Sequence, residues 1–541
     1  MRQSDGERGA FFLFLLILLC QGTGVRAVDA PPAPGQPTIN VKDFGAKGDC
    51  QRVSDGVMSK GSPVLTSERA HFTTQDVGLP IYVLGAVVQK FPEIGEVPGA
   101  PLSSHIVGVK DAHTITLADA AQNDANHVSV TWGTDDSEAI EHAIQSLKTT
   151  GGSVFFPAGT YRVVYRGGAG VQVDGSNIRL HGVENESAIF NSTVLFHARM
   201  KDGILRTEQA GVPVLYVGRG NETVENVEID HLWLGDNGQN YDFVSWGPHG
   251  PAVLGTKGKV DRFSFHDLTV ASGFLCGVGT DSESTGFSIH HVTVLGTGEH
   301  GFYLAGTGSD ADIYDNRIIG TPERPMRQGI VVKKKQHIRI THNEVAYVNF
   351  QAIGVEGDSP SFISRDVLIA DNWIHDLRAW HTDGITIFNA EDVVVRNNRI
   401  ADTSWIGINL RTTLYTVSRV LVQDNVITRA AGLNPAYAIA VHYDPPPNQV
   451  AGTPWPGSIS DVTIQGNIVT DCAHGISVVN VGGRNVIRGN RVENGGMQKS
   501  AVGYKVAFLP GAVMDFSKNV GVNCGEYRVA PESMGQGNEL K

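Results

Sequence analysis

The sequence predicts an all-β fold, a single-stranded right-handed parallel β-helix with a short N-terminal capping helix and a small inserted β module. Three observations predict it. A frame of the form I-x-x-N-x-I recurs at a solenoid-like interval, each frame is followed by a second strand-like run that opens on a small residue, and the composition suits a turn-rich β protein. The 541 residues hold 64 glycines against 24 prolines, with 41% hydrophobic and 18% charged residues, a balance that allows a large core and argues against disorder.

Taken in chain order, residues 1–27 read as a secretion signal. Arg2 and Arg8 flank a polar start, Phe11 to Leu19 is an unbroken apolar run, and Val25-Arg26-Ala27 offers a cleavage site. That run is too short for a bilayer, which needs about 20 apolar residues, so a secreted or periplasmic location is expected. Removing the leader takes away three Arg, one Asp and one Glu, moving the formal charge from −13 to −14. So acidic a chain is not expected to bind nucleic acid or an anionic membrane. Cys50, Cys276, Cys472 and Cys524 are spaced like neither a disulfide framework nor a zinc site, so buried free thiols are expected, with no metal and no cofactor.

Residues 28–49 form a Pro-rich leader and a first cap strand running into Asn40-Val41-Lys42-Asp43-Phe44-Gly45-Ala46-Lys47-Gly48-Asp49. Residues 50–133 alternate polar and apolar side chains in short runs separated by Gly, Pro and Asp, the pattern of a small all-β module. Residues 134–541 then hold the capping helix and the coil. The helix is expected over 135–148, with Thr134 or Asp135 as N-cap and Ala139, Ile140, Ala143, Ile144 and Leu147 on one face. Such a helix covers the open edge of a stacked-strand coil.

The repeating frame places Asn at 316, 343, 372, 398, 425, 467 and 490, with Leu232, Leu268 and Val292 in its place upstream and a weaker copy at Asn519. Two apolar positions per frame point inward, and the bend between them calls for a residue tolerant of left-handed geometry, a demand that Asn meets best after Gly. Stacked Asn side chains can bond rung to rung, so the ladder is structural.

The pieces NVKDFGAKGD, DDSEAI and GGSVFFPAGTYRV together resemble the opening of the pectate-lyase-like superfamily of β-helix proteins, which includes rhamnogalacturonase-like and epimerase-like members. That resemblance implies a catalytic groove along the sheet formed by the second strands, and a polysaccharide as partner. Trp380-His381-Thr382-Asp383-Gly384-Ile385 looks like the polygalacturonase motif Asn-Thr-Asp-Gly-Ile, which implies a carboxylate role for Asp383. The chain departs from that pattern at Trp405-Ile406, where polygalacturonases carry an Asp pair.

Aligning the second strands by their small residue yields outward columns with neighbours ~4.8 Å apart. One column reads Lys333, Glu356, Phe388, Arg411 and His442; another reads His300, Gln328, Gln351, Asp383, Ile406, Tyr437 and His474. Asp383, Glu356 and His381 are the candidate catalytic residues. Lys333, Arg411, Trp380, Trp405 and His442 are the candidate substrate contacts, cations for a uronate carboxylate and aromatic faces for sugar rings. Asp383 is equally placed to form a turn, and Lys333 with Glu356 to form a surface ion pair. Three functions remain open: a glycoside hydrolase built on two carboxylates, Asp383 with Glu356 or Asp358, for pectin-like or other acidic polysaccharides; a lyase or C5-epimerase using Lys333, Arg411 and His381; and a non-catalytic sugar-binding or structural β-helix; the chain is expected to be a monomer or a trimer.

Overall fold

The computed structural model describes residues 36–541 apart from 202, 221, 239–251, 273–274, 282, 360, 378–380, 413–414, 431–435, 444–456, 495–501 and 530–534. The expected secretion signal lies outside the described residues, as does Trp380. The chain is a right-handed parallel β-helix. A 26-stranded sheet takes two short strands from most rungs, and a 13-stranded sheet takes the third. Rungs stack in strict register: Ile313, Ile340, Ile369, Val395, Val422, Ile464 and Ile487 face one another in turn. All seven are buried in one continuous apolar core that runs the length of the coil.

The asparagine ladder forms as its chemistry demands. Asn316, Asn343, Asn372, Asn398, Asn425, Asn467 and Asn490 each donate from Nδ2 to the Oδ1 of the next rung's Asn at 2.9–3.0 Å. The same Oδ1 also accepts the backbone N–H of the preceding Asn, as in Asn343 N to Asn372 Oδ1 at 2.9 Å. A second Nδ2 bond reaches a main-chain carbonyl one rung back, such as Asn398 to Ile369 at 3.0 Å. Asn519 and Asn538 continue the column. At its upstream end Asn316 accepts from the N–H of Val292, where apolar residues take over.

One expectation about the bend is corrected. The left-handed residue is the one before each Asn: Asp315, His342, Asp371, Asn397, Asp424, Gly466, Gly489 and Lys518 have positive φ, whereas the ladder asparagines do not. The preceding residue turns the chain and points outward, which frees the Asn side chain to point in and bond along the axis.

The N-terminal end is stitched by two carboxylates. The helix is Ser137–Ser146 with Asp136 as N-cap, not Thr134 or Asp135. Asp136 makes no cap bond; its carboxylate accepts the N–H groups of Lys47 and Gly48 at 2.6 and 3.1 Å. Asp135 instead accepts from Ser137 N at 3.1 Å. Asp49 returns the link by accepting from both N and Oγ1 of Thr134 at 2.8 Å. Residues between Asp49 and Thr134 thus leave and re-enter at one point, and they close into a six-stranded antiparallel barrel from Gln51–Met58 to Ala125–Trp132 around Leu65, Ile81, Val83, Ile115 and Val130. A hairpin, Val194–Lys201 with Ile204–Gly211, leans on the barrel through Phe196 against Val97 and Ala100. Cys50, Cys276 and Cys472 are buried and Cys524 is half-buried, all as free thiols.

Two outcomes test this account. Asn398→Leu takes away the oxygen that accepts from the main-chain N–H and Nδ2 of Asn372 and the amide that donates to the carbonyl of Ile369, and should lower stability by ~1–3 kcal/mol in denaturant unfolding. Lys335 is fully buried, with Nζ on Ser284 Oγ at 3.0 Å, and burial pushes its ammonium down to about 7. Between about pH 7 and its ordinary value of 10.5 the unfolded chain therefore holds more protons than the folded one. The thermal midpoint should rise with pH through that window, and Lys335→Met should flatten the rise and raise the midpoint at pH 6.

Candidate active site

Where neighbouring strands share one register, side chains from successive rungs form straight columns, and the outer face of the 13-stranded sheet carries three of them. The first runs Lys333, Glu356, Phe388, Arg411 and His442, each the strand partner of the next. Lys333 Nζ meets Glu356 Oε2 at 2.8 Å with both side chains 16% exposed, so this ion pair lies within the surface rather than on it. Arg411 lays its guanidinium over the Phe388 ring at 5.3 Å, and His442 stands half-buried on the next rung. Stacking holds the guanidinium flat against the ring.

The second column holds His300, Gln328, Gln351 and Asp383 in register. Expected to point into solvent, these four residues are at most 4% exposed. Asp383 Oδ2 accepts from Asn409 Nδ2 at 2.8 Å and from Thr386 Oγ1 at 2.9 Å. Its Oδ1 is buried and makes no hydrogen bond of good geometry among the described residues. Burial is the largest influence and lifts the carboxyl to about 6, against the opposing pull of Asn409, Thr386 and the Arg411 charge.

The third column, two residues beyond the small one, reads Tyr303, Val331, Gly354, Thr386, Asn409, Ala440 and Ser477. Sequence reasoning passed over it, and with it the two residues that grip Asp383; the adjacent Thr386 and Asn409 at one alignment position were its signal. Gly354 is the one position of this column without a side chain, and the Gln351 carboxamide fills the space over it. A Cβ there would stand 2.7 Å from Gln351 Oε1 and 3.7 Å from Glu356 Oε1. Glu356 leans back along its strand toward Gly354, while Asp383 leans forward to Thr386, the strand partner of Gly354. The two carboxyl groups thus approach the Gly354–Thr386 pair from opposite ends of neighbouring strands.

His381 has φ +58°, a left-handed turn that brings its ring against Trp405 with centroids 5.0 Å apart and planes at 29°. Both rings are half-buried and form one aromatic platform at the strand entrance. Trp405 N donates to Thr382 O at 3.2 Å, so the platform is tied to the segment that carries Asp383. Trp380, expected beside them, lies outside the described residues.

This face defines a parallel β-helix with a polar, aromatic-edged groove. The family model described as the right handed beta helix region matches residues 300–452, the stretch that holds these columns. Among solved structures, the mannuronan C-5 epimerase AlgE6 A-module of Azotobacter vinelandii aligns at 17% identity over 74% of this chain and 96% of its own, with a TM-score of 0.50. The surface adhesin PfbA of Streptococcus pneumoniae aligns at 15% identity over 76% and 97%, TM-score 0.40. An exopolygalacturonase from Thermotoga maritima aligns at 13% over 72% and 88%, TM-score 0.40. No curated protein matches the chain by sequence. What the likeness to the epimerase module shows is the fold.

A buried acid whose carboxyl sits at about 6 weakens the fold that holds it. The folded chain keeps the Asp383 proton up to about pH 6, whereas the unfolded chain releases it near 3.8, so stability falls as pH rises across that interval. Asp383→Asn should remove this part of the pH dependence and raise the thermal midpoint at pH 7–8. A midpoint that drops at that pH would show the carboxylate to be a structural tie.

Proposed function

We propose that the chain is a carbohydrate-active enzyme that hydrolyses glycosidic bonds in an acidic polysaccharide lying across the 13-stranded sheet. The observation that carries this reading is the pair of carboxyl groups that approach the Gly354–Thr386 strand pair from two unlike surroundings. Asp383 is buried and retains its proton at weakly acidic pH. Glu356 is the partner of an ammonium at 2.8 Å. A protonated carboxyl beside an ion-paired one is the division of labour that glycoside hydrolysis needs. Asp383 acts as general acid toward the leaving oxygen, and Glu356 as the carboxylate that attacks the anomeric carbon or activates water. Arg411 binds a uronate carboxylate, with His442 beyond it, and the His381–Trp405 platform stacks on a sugar ring. A sugar chain running along the coil axis meets one rung for about every pyranose. The structural likeness of the epimerase module and the exopolygalacturonase agrees in fold with an enzyme of this class.

Incubation with acidic and neutral polysaccharides tests the proposal. New reducing ends without ultraviolet-absorbing products are expected from an acidic substrate. Unsaturated products would mean a lyase, and altered uronate stereochemistry without cleavage an epimerase. Binding without any turnover would mean a sugar-binding protein; each of these overturns hydrolysis. Since Asp383 must carry its proton, turnover should fall as pH rises through about 6. Asp383→Asn and Glu356→Gln should each reduce turnover by about 10²–10⁴-fold with binding nearly intact. Arg411→Ala should weaken binding of the acidic polymer and leave a neutral one unaffected.

A further inference from the structure

Upstream of Gly354, the column through Asp383, Gln351, Gln328 and His300 ends on Cys276, the strand neighbour of His300. There three side chains of unlike chemistry meet in the dark. Cys276 and Glu299 are 1% exposed and His300 is fully buried. Cys276 Sγ lies 3.5 Å from His300 Nδ1 and 3.7 Å from Glu299 Oε2, and His300 Nδ1 lies 3.6 Å from Glu299 Oε2.

The hydrogen bonds around the trio fix which atoms face inward. Gln328 Nε2 donates to Gln351 Oε1 at 2.7 Å, so Gln328 presents its Oε1 to His300 Nε2 at 2.5 Å. Nε2 therefore carries the imidazole proton, and Nδ1 turns a lone pair toward Cys276. Glu299 gives its other oxygen, Oε1, to Arg327 at 3.0 Å, which leaves Oε2 for the trio. A thiol sulfur, an imidazole lone pair and a carboxylate oxygen thus converge, the imidazole and the carboxylate each held by an outer partner, as the ligands of a metal ion are.

The spacing is that of one face of a small tetrahedron. With Zn–S ~2.3 Å, Zn–N ~2.0–2.1 Å and Zn–O ~2.0–2.2 Å, a tetrahedral ion sets S···N and S···O edges of about 3.5–3.6 Å and an N···O edge of about 3.3–3.5 Å. The three observed separations agree to about 0.3 Å. Thiolate with imidazole selects zinc or a similar transition ion over calcium or magnesium. Two other trios of ligand-bearing side chains occur among the described residues, and both include Asp230. Arg179 grips both oxygens of that carboxylate, at 2.6 and 3.0 Å, so a cation there would meet a guanidinium.

The geometry points to a divalent transition-metal site of the zinc class formed by Cys276, Glu299 and His300, with Gln328 and Arg327 as positioning residues. Binding replaces the Cys276 thiol proton by the metal, and that proton leaves to solvent, so affinity rises with pH. The site joins two neighbouring rungs through the Cys276–His300 pair. It stands three rung spacings, ~14 Å, from Asp383, too far to take part in sugar chemistry. Its role is to clamp rungs that lie upstream of the asparagine ladder.

Metal analysis and cobalt spectroscopy test this on the full chain. Stripped protein should take up one equivalent of zinc, and with cobalt should show thiolate-to-metal charge-transfer absorption. Both should persist in Cys50→Ala and Cys472→Ala and vanish in Cys276→Ala. Gln328→Leu should weaken zinc about 10–100-fold. Zinc should raise the thermal midpoint of the wild type, a readout independent of turnover. If Cys276→Ala fails to fold, the cobalt spectrum of the wild type and the two control variants decides. No cobalt–thiolate absorption in the wild type, or uptake unchanged in a folded Cys276→Ala protein, overturns the site.

Discussion

The bonds between successive asparagine side chains are what the rest of the coil depends on. A solenoid has no second layer to define its shape, and each rung is fixed only by its neighbours. Apolar stacking by itself tolerates sliding along the axis. The amide column does not, since every Asn must place Nδ2 on one neighbour and Oδ1 under two donors of the other. Register on the bend side is thereby set, and register on the 13-stranded sheet follows, because both belong to the same closed rung. The straight columns from Lys333 to His442 and from His300 to Asp383 are consequences of that alignment.

The glycine at 354 shows how such a lattice makes a site. Its missing side chain lets Gln351, Glu356 and, through Thr386, Asp383 approach a common strand pair. The burial that stabilises the coil is what makes Asp383 unusual, since it withdraws water from the carboxyl and so keeps the proton on it. Stability and chemistry are opposed at this residue, as they are in many active sites.

Much of this was legible in the sequence. The spacing of Asn343, Asn372 and Asn398 gave the rungs, and alignment on Gly329, Ala352 and Gly384 gave the strand partners of Lys333, Glu356 and Asp383 correctly. Three things were not legible, for one reason: a sequence gives which residues share a column, but not which way a side chain leans or what covers it. Hence Asp383 reads as exposed when it is 3% exposed in the folded chain. Hence also the left-handed turn is assigned to Asn398 when Asn397 makes it, since both are Asn and only the bonds tell them apart. Cys276 and His300 do not read as metal ligands because their separation is that of a whole rung, whereas familiar zinc spacings reflect short loops.

The crossing of Asp49 and Thr134 at the N-terminal end has its own implication. Because the two carboxylate bonds bring the chain back to where it departed, the rungs close at this point whatever the length of chain carried between them. A long excursion adds only slowly to the entropy of closing such a loop. The junction therefore behaves as a socket, and the barrel seated in it is held to the coil by contacts of its own: Arg52 lies over the rings of Phe190 and Trp233, Tyr82 donates to the carbonyl of Val194, and Val97 and Ala100 receive Phe196, so a unit exchanged for the barrel must meet that same surface.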